Sequence, residues 1–515
     1  MRTLSELVFH NTYSELPKAF GCLVTPQPLD NPFLVSVNPH VCELLELDPR
    51  QANTPCFINV FTGNSAFSGF SPLAMKYTGH QFGQYNPDLG DGRGLLMGEV
   101  LTSTGKKWDI HLKGSGMTPY SRQGDGRAVL RSSIREYLAC AAMQGLGIKT
   151  THALAILGST TPVYREKVER GATLIRVAES HLRFGHFEYL FYTGQHAELK
   201  LLADYLIKQH FDDLYVQQEL LIHGKTDEHE TEVAHKKIYA AMFQRIVDLT
   251  ATMIANWQAA GFAHGVMNTD NMSVLGLTFD YGPYAFLDNY DPGFICNHSD
   301  YSGRYAFNQQ PSIALWNLSA LGYALSPLVE KDAIEQSLQG YQVQLQQQYS
   351  VTMRRKLGLI EKREEDTVLF SSLFDLLKSQ AVDYTLFFRI LSDIPLHELS
   401  TSTDRFGDLF DCPRSLNIWL TAYATRLGFE IKPFTTVQKQ DDEQRLLRMK
   451  KHNPKFILRN YLAQQAIDKA QDGDFLMIEQ LLQVLGTPFD EHPEFNEFAA
   501  KPPYWSKELA ISCSS

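Results

Sequence analysis

The sequence predicts an α+β fold of two lobes, a small β-rich one followed by a larger helical one, with an extension at each end. Three observations carry this. Trp108-Asp-Ile-His-Leu-Lys113 alternates apolar and polar residues, so it reads as a half-buried strand with Trp108, Ile110 and Leu112 on one face. Between 236 and 260, Ile238, Met242, Ile246, Leu249, Met253 and Trp257 recur at helical spacing, and Gly261 stops the run. Directly after it, residues 264–282 bring two oxygen-bearing side chains, Asn271 and Asp280, to either side of a short apolar run. The expected layout is an extension packed on the core over 1–70, a β-rich lobe over 71–185, and a helical lobe over 186–430. A helical extension and cysteine-bearing tail follow over 431–515.

Composition sets outer limits. The chain has 515 residues, 44% hydrophobic and 20% charged, ordinary for a folded soluble protein. Its net charge of −11 argues against nonspecific binding to nucleic acid or an anionic membrane, so neither is an expected partner. No run approaches the roughly 18 apolar residues of a membrane span. The opening Met1 to Val8 does not resemble a secretory signal. Seven scattered cysteines, without a C-x-x-C pair, argue against a zinc site or a secreted disulfide framework. The expected location is cytoplasmic.

Residues 1–70 show no chemistry. From 71 the glycine density rises, to Gly90-Asp-Gly92-Arg93-Gly94. Glycines let backbone N–H groups approach phosphate oxygens, and an arginine adds a charged fork. The P-loop pattern is absent. Lys113 shares the polar face of its strand with Asp109 and His111. After it, a second loop with Asp125-Gly126-Arg127 runs into a helix start, where phosphate is favoured. That helix is expected over 128–145, with Glu136 in its middle and within reach of Lys113. Gly171 to Ala178 reads as a further strand, and Arg176 on it and Arg183 beyond it are expected to point into a cleft holding a triphosphate.

Met272 to Phe279, broken by Gly276, reads as a tight β-hairpin. Its closed mouth would set Asn271 and Asp280 together as Mg²⁺ ligands, with Asp270 beside them as a proton acceptor. Residues 285–300 follow, including Cys296. Helix is expected over 305–349, 365–425 and 460–485, and the charged residues 438–445 and 450–451 are expected to be exposed.

The register around His264 follows the protein-kinase catalytic loop, H-R-D-L-x-x-x-N followed by D-F-G. His264, Asn271 and Asp280-Tyr-Gly282 match it, but the kinase base falls on Val266, which accepts no proton. Longer stretches resemble the selenoprotein O family, pseudokinase-like protein adenylyltransferases. They are Leu89-Gly-Asp-Gly-Arg93, Leu112-Lys-Gly-Ser-Gly116, Thr118 to Leu138, Arg183-Phe-Gly-His-Phe-Glu188, His264 to Ser273, and the final Cys513-Ser-Ser. Cys513 stands where many eukaryotic members carry selenocysteine, which weakens or alters any redox role.

The resemblance implies a kinase-like fold binding ATP in a flipped orientation. AMP then passes to a Ser, Thr or Tyr hydroxyl of a protein substrate. UTP with Mn²⁺ is a further option, for UMP transfer. By position, Asp270 is the proton acceptor, and Asn271 and Asp280 hold Mg²⁺ or Mn²⁺. Lys113, oriented by Glu136, meets the phosphates; Gly90, Gly92, Arg93, Asp125, Gly126, Arg176, Arg183 and Asp280 bind nucleotide. Two rivals are a kinase with an altered base and a catalytically inactive ATP-binding scaffold. Cys296, sixteen residues past Asp280, is a candidate partner for Cys513 in a regulatory disulfide, against the alternative of two separate thiols.

Overall fold

A computed structural model describes residues 1–223, 227–431 and 436–509. Eleven strands come before residue 180: β1 (Val8–Phe9), β2 (Gly21–Leu23), β3 (Phe33–Val37), β4 (Leu73–Met75), β5 (Gly79–Gln81), β6 (Gln84–Asn86), β7 (Gly94–Leu101), β8 (Lys107–Lys113), β9 (Ala128–Val129), β10 (His152–Tyr164) and β11 (Val168–Ala178). Nine form one antiparallel sheet in the order β2-β4-β7-β8-β11-β10-β3, with β1 added to β7 and β9 to β11. β5 and β6 form a separate hairpin. Helices dominate from residue 184 onward, so the fold is mixed α and β.

The first seventy residues do more than wrap the body. They supply β1, β2 and β3, and they cover the back of the sheet. Leu4, Val41, Phe57 and Phe61 are buried there against Trp108, Ile110, Leu112, Ile175 and Val177.

The front face is also dry, which corrects the half-buried reading of β8. Asp109, His111 and Lys113 are all under 8% exposed, because the helix Leu130–Gly145 and the chain around His181 cover them. Each finds a partner: Lys113 meets Glu136, His111 Nε2 meets Asp91 at 3.0 Å, and Asp109 accepts from the His181 backbone N–H at 2.9 Å. The helix starts at Leu130 rather than 128, because Ala128 and Val129 pair with Ala172 and Gly171 of β11.

The helix Glu228–Ala260 runs 33 residues and ends at Gly261 in the left-handed region, φ 69°. β12 (Phe262–Ala263) follows and pairs with β13 (Ala285–Phe286), pinning both ends of loop 264–284. The expected hairpin over 272–279 does not form. Ser273 bridges to Arg183 and Thr278 to Thr150. The N–H groups of Val274 and Thr278 go to the carbonyls of Leu182 at 3.2 Å and Lys149 at 2.9 Å. The run is buried from end to end, so it lacks the one wet face a two-stranded hairpin presents.

The helix expected over 305–349 is two, Gln310–Ala324 and Lys331–Lys356, with Pro327 in the break. The helices Asn460–Gln471 and Leu476–Gly486 return to pack on the Glu136 helix. In the charged stretch near 440, the side chains before Gln440 lie outside the described residues. Arg445 reverses the expectation of exposure. It is fully buried, with Nε on Asp442 at 2.7 Å and Nη2 on the Ile394 carbonyl at 2.8 Å. Among the described residues no helix is long and apolar enough to cross a membrane.

Candidate active site

A cavity of about 410 Å³ opens between the front of the sheet and loop 264–284. Gly90, Gly92, Arg93, Lys113, Asp125, Gly126, Arg176, Arg183, Asp270, Asn271 and Asp280 all line it. Glu136 sits one layer deeper and is wholly buried.

These side chains are wired together. Glu136 holds Lys113 through one oxygen and Arg176 Nε through the other, the latter at 2.6 Å. Arg176 Nη2 reaches Asp280 at 2.8 Å. Arg183 Nη1 binds the second Asp280 oxygen and donates to the Asp270 carbonyl at 2.7 Å. Its guanidinium lies between the rings of Tyr77 and Phe279, at 4.5 and 4.7 Å. Asp280 itself takes φ 59°, the left-handed region where aspartate is among the better-tolerated residues. Asn271 Nδ2 donates to Asp280 Oδ2 at 3.2 Å, so the two residues meet as expected although no hairpin joins them.

The electrostatics separate the two aspartates. Burial pushes the Asp280 carboxyl up, but Arg183, Arg176 and Lys113 outweigh it and hold the group well below the usual range. Burial dominates at Asp270 and pushes it up to about 7, with Arg183 offsetting only part. Burial also draws Lys113 down to about 8, against the pull of Glu136.

Asp270 is held tightly. Thr269 Oγ1 donates to Glu188 at 2.7 Å and accepts from the His80 N–H at 2.7 Å. Asn268 Oδ1 accepts from the Tyr305 hydroxyl at 2.6 Å. β5 presses on the loop so closely that a Cβ on Gly79 would lie 2.9 Å from Asp270 N and Oδ1. Asp270 Oδ1 has no partner among the described residues.

Gly90 takes φ 141°, with Tyr120 packed where a side chain would go. Asp125 is committed to Arg165 at 2.8 Å. Further residues join the lining that sequence reasoning passed over. Asp91, between the two motif glycines, meets burial that raises its carboxyl and a His111 contact that lowers it; the balance holds it at about 2. His111 shares the Lys113 face of β8 by strand alternation, so both signals were present in the sequence. Tyr77 and Gln81 carry no pattern that would have marked them. Cys296 does not line the cavity; it is 6% exposed, its thiol donating to the Ala263 carbonyl at 3.6 Å beneath Gly265. Cys513 lies outside the described residues.

The donor set suits a hard divalent cation. Asn271 has an amide oxygen and Asp280 a carboxylate, the ligand types Mg²⁺ and Mn²⁺ take. Among the described residues no three His, Cys, Asp or Glu side chains cluster to hold a metal alone. Remaining ligands must come from phosphate and water.

Comparison with known proteins gives a consistent result. A family model described as "Protein adenylyltransferase SelO" matches residues 3–486. A protein of Photobacterium profundum named "Protein nucleotidyltransferase YdiU" is 71% identical over 522 residues, covering 100% of both chains. Proteins of the same name from Vibrio vulnificus and Aliivibrio fischeri are 53% and 52% identical, covering 100% and 98% of both chains. With a matched span this long, the chain belongs to the SelO family of protein adenylyltransferases.

Proposed function

We propose that this chain moves AMP from ATP to a Ser, Thr or Tyr hydroxyl of a protein, in a kinase-like two-lobed frame, releasing pyrophosphate. One observation carries the reading. Asp270 is a buried carboxylate with a free oxygen, set beside the Asn271–Asp280 pair, while Val266 occupies the kinase base position.

The substrate oxygen attacks the α-phosphorus of ATP. The bond from that phosphorus to the bridging β-oxygen breaks, and its electron pair leaves with pyrophosphate. The hydroxyl proton passes to Asp270. Asn271 and Asp280 would hold a divalent cation, which supplies charge neutralisation on the phosphates when bound. Arg93, Lys113, Arg176 and Arg183 hold the β- and γ-phosphates deep in the cleft, and the Gly90, Gly92 and Gly126 backbone fits closely around the nucleotide. Such transfers rest mainly on positioning and charge stabilisation. UTP fits the same phosphate chemistry.

The test is incubation of the enzyme and a cell lysate with Mg²⁺ and ATP labelled at the α or the γ position. Protein should acquire the α label, and the γ label should leave as pyrophosphate. Protein labelled from the γ position alone overturns the proposal in favour of a kinase. Asp280→Ala should cut α labelling by at least about 100-fold; labelling from neither position in the unaltered protein supports the scaffold reading.

A further inference from the structure

A second cavity, of about 310 Å³, lies apart from the nucleotide cleft. Its walls come from the end of the Glu136 helix, the end of the 33-residue helix, the last turn of the helix Lys331–Lys356 and the first turn of the helix Tyr384–Leu391. The segment carrying Lys451, His452 and Pro454 closes it. Most of the lining is apolar, including Ile148, Ala259, Tyr384 and Phe489.

Lys356 is the exception. It lines the cavity, yet its side chain is buried and the residue is only 5% exposed. Its ammonium lies over the rings of Phe388 at 4.3 Å and Tyr384 at 5.3 Å. Among the described residues no carboxylate faces it, and burial alone pushes the amine down to about 7. A methionine would fill the same space without stripping an ammonium of water.

Other charges converge here. His452 is held below its ordinary value by burial and then by Arg355, Lys356 and Lys451. Three helix C-termini also end at the cavity, and their carbonyls oppose an anion. Each terminus carries about half a charge, against Arg355, Lys451 and a Lys356 that burial leaves only partly charged near neutral pH. The balance stays positive. An amphipathic cavity of this size with one buried, displaced titratable group has the make-up of a small-molecule site.

We propose that this cavity binds a small organic anion, its carboxylate or phosphate group meeting Lys356 Nζ and its apolar body lying against Ala259, Tyr384 and Phe489. The bound anion supplies the counter-charge that the fold leaves out. It also sits under the end of the helix that carries Glu136.

Full-length protein, its nucleotide cleft filled with a non-hydrolysable ATP analogue and Mg²⁺, is titrated with phenyl phosphate and separately with hexanoate while thermal unfolding is followed. At least one probe should raise Tm by about 2 °C at saturation. A response to phenyl phosphate alone or hexanoate alone supports the site and names its head group. Lys356→Met should fold and lose the response. Should that variant fail to fold, the exposed pair Lys451→Ala and His452→Ala should weaken probe binding about fivefold. No response to either probe, or a response unchanged in whichever variant folds, overturns the proposal.

Discussion

Two aspartates ten residues apart in one loop have opposite electrostatic fates. Asp280 stays ionised because three cations face it, whereas Asp270 is poised near neutrality because burial dominates. A base with its pKa raised to about 7 works once deprotonated, so kcat/KM for AMP transfer should rise with pH through about 7 and level off above it. A flat profile from about pH 6 to 8 would count against Asp270 as the acceptor. The same shift has a stability sign. The native state binds more protons than the unfolded chain between about 4 and 7, so stability falls as pH rises through that window. Asp270→Asn should therefore raise Tm by a few degrees at about pH 8 while removing transfer, as thermal unfolding and the α-label assay would show. Asp270, Asn271 and Asp280 were legible in the sequence because their spacing is local. Arg445 was not. A charge run normally marks a solvated face, and beyond the local Asp442 two of the acceptors that bury this guanidinium, Ile394 and Tyr423, lie 51 and 22 residues away.

Elements meet through Glu136. One carboxylate joins a lysine of β8 to an arginine of β11, and that arginine holds Asp280 in its left-handed turn. Glu136→Gln keeps the shape but removes the negative charge that sits between the two cations. It should cost about 3 kcal/mol of stability in denaturant titration and raise KM for ATP several-fold. Unchanged KM and midpoint would show that the link is idle. The contact between β5 and the loop that carries Asp270 is as narrow: if Asp270 is the acceptor, Gly79→Ala should displace it and lower kcat about tenfold, with little change in nucleotide affinity. β8, β11 and the helix Glu228–Ala260 were readable because period two and period 3.6 are local patterns. The 272–279 run misled because apolar content alone does not distinguish a two-faced hairpin from a segment buried on every side. Its backbone partners, Leu182 and Lys149, are set by the tertiary fold.

Over the whole molecule, the sheet depends on residues that carry no chemistry. β1, β2 and β3 are paired within it, and Leu4, Val41, Phe57 and Phe61 seal its back. Removing residues 1–70 should leave an apolar face that drives aggregation, seen as a shift of the size-exclusion peak to the void volume and loss of near-ultraviolet dichroism. A soluble, folded remainder would refute this. Sequence could place these residues against the core but not inside its sheet, because strands of two to five residues leave almost no periodic trace.

The other end of the chain closes on the middle as well. The helix Leu476–Gly486 packs against the helix bearing Glu136, and the Leu485 carbonyl occupies the place where a Gly145 side chain would go. A polypeptide leaving the ribosome therefore holds Lys113, Glu136 and Asp280 outside the tunnel long before the last support for them has been synthesised. Translation itself imposes a delay before that last support can close on them.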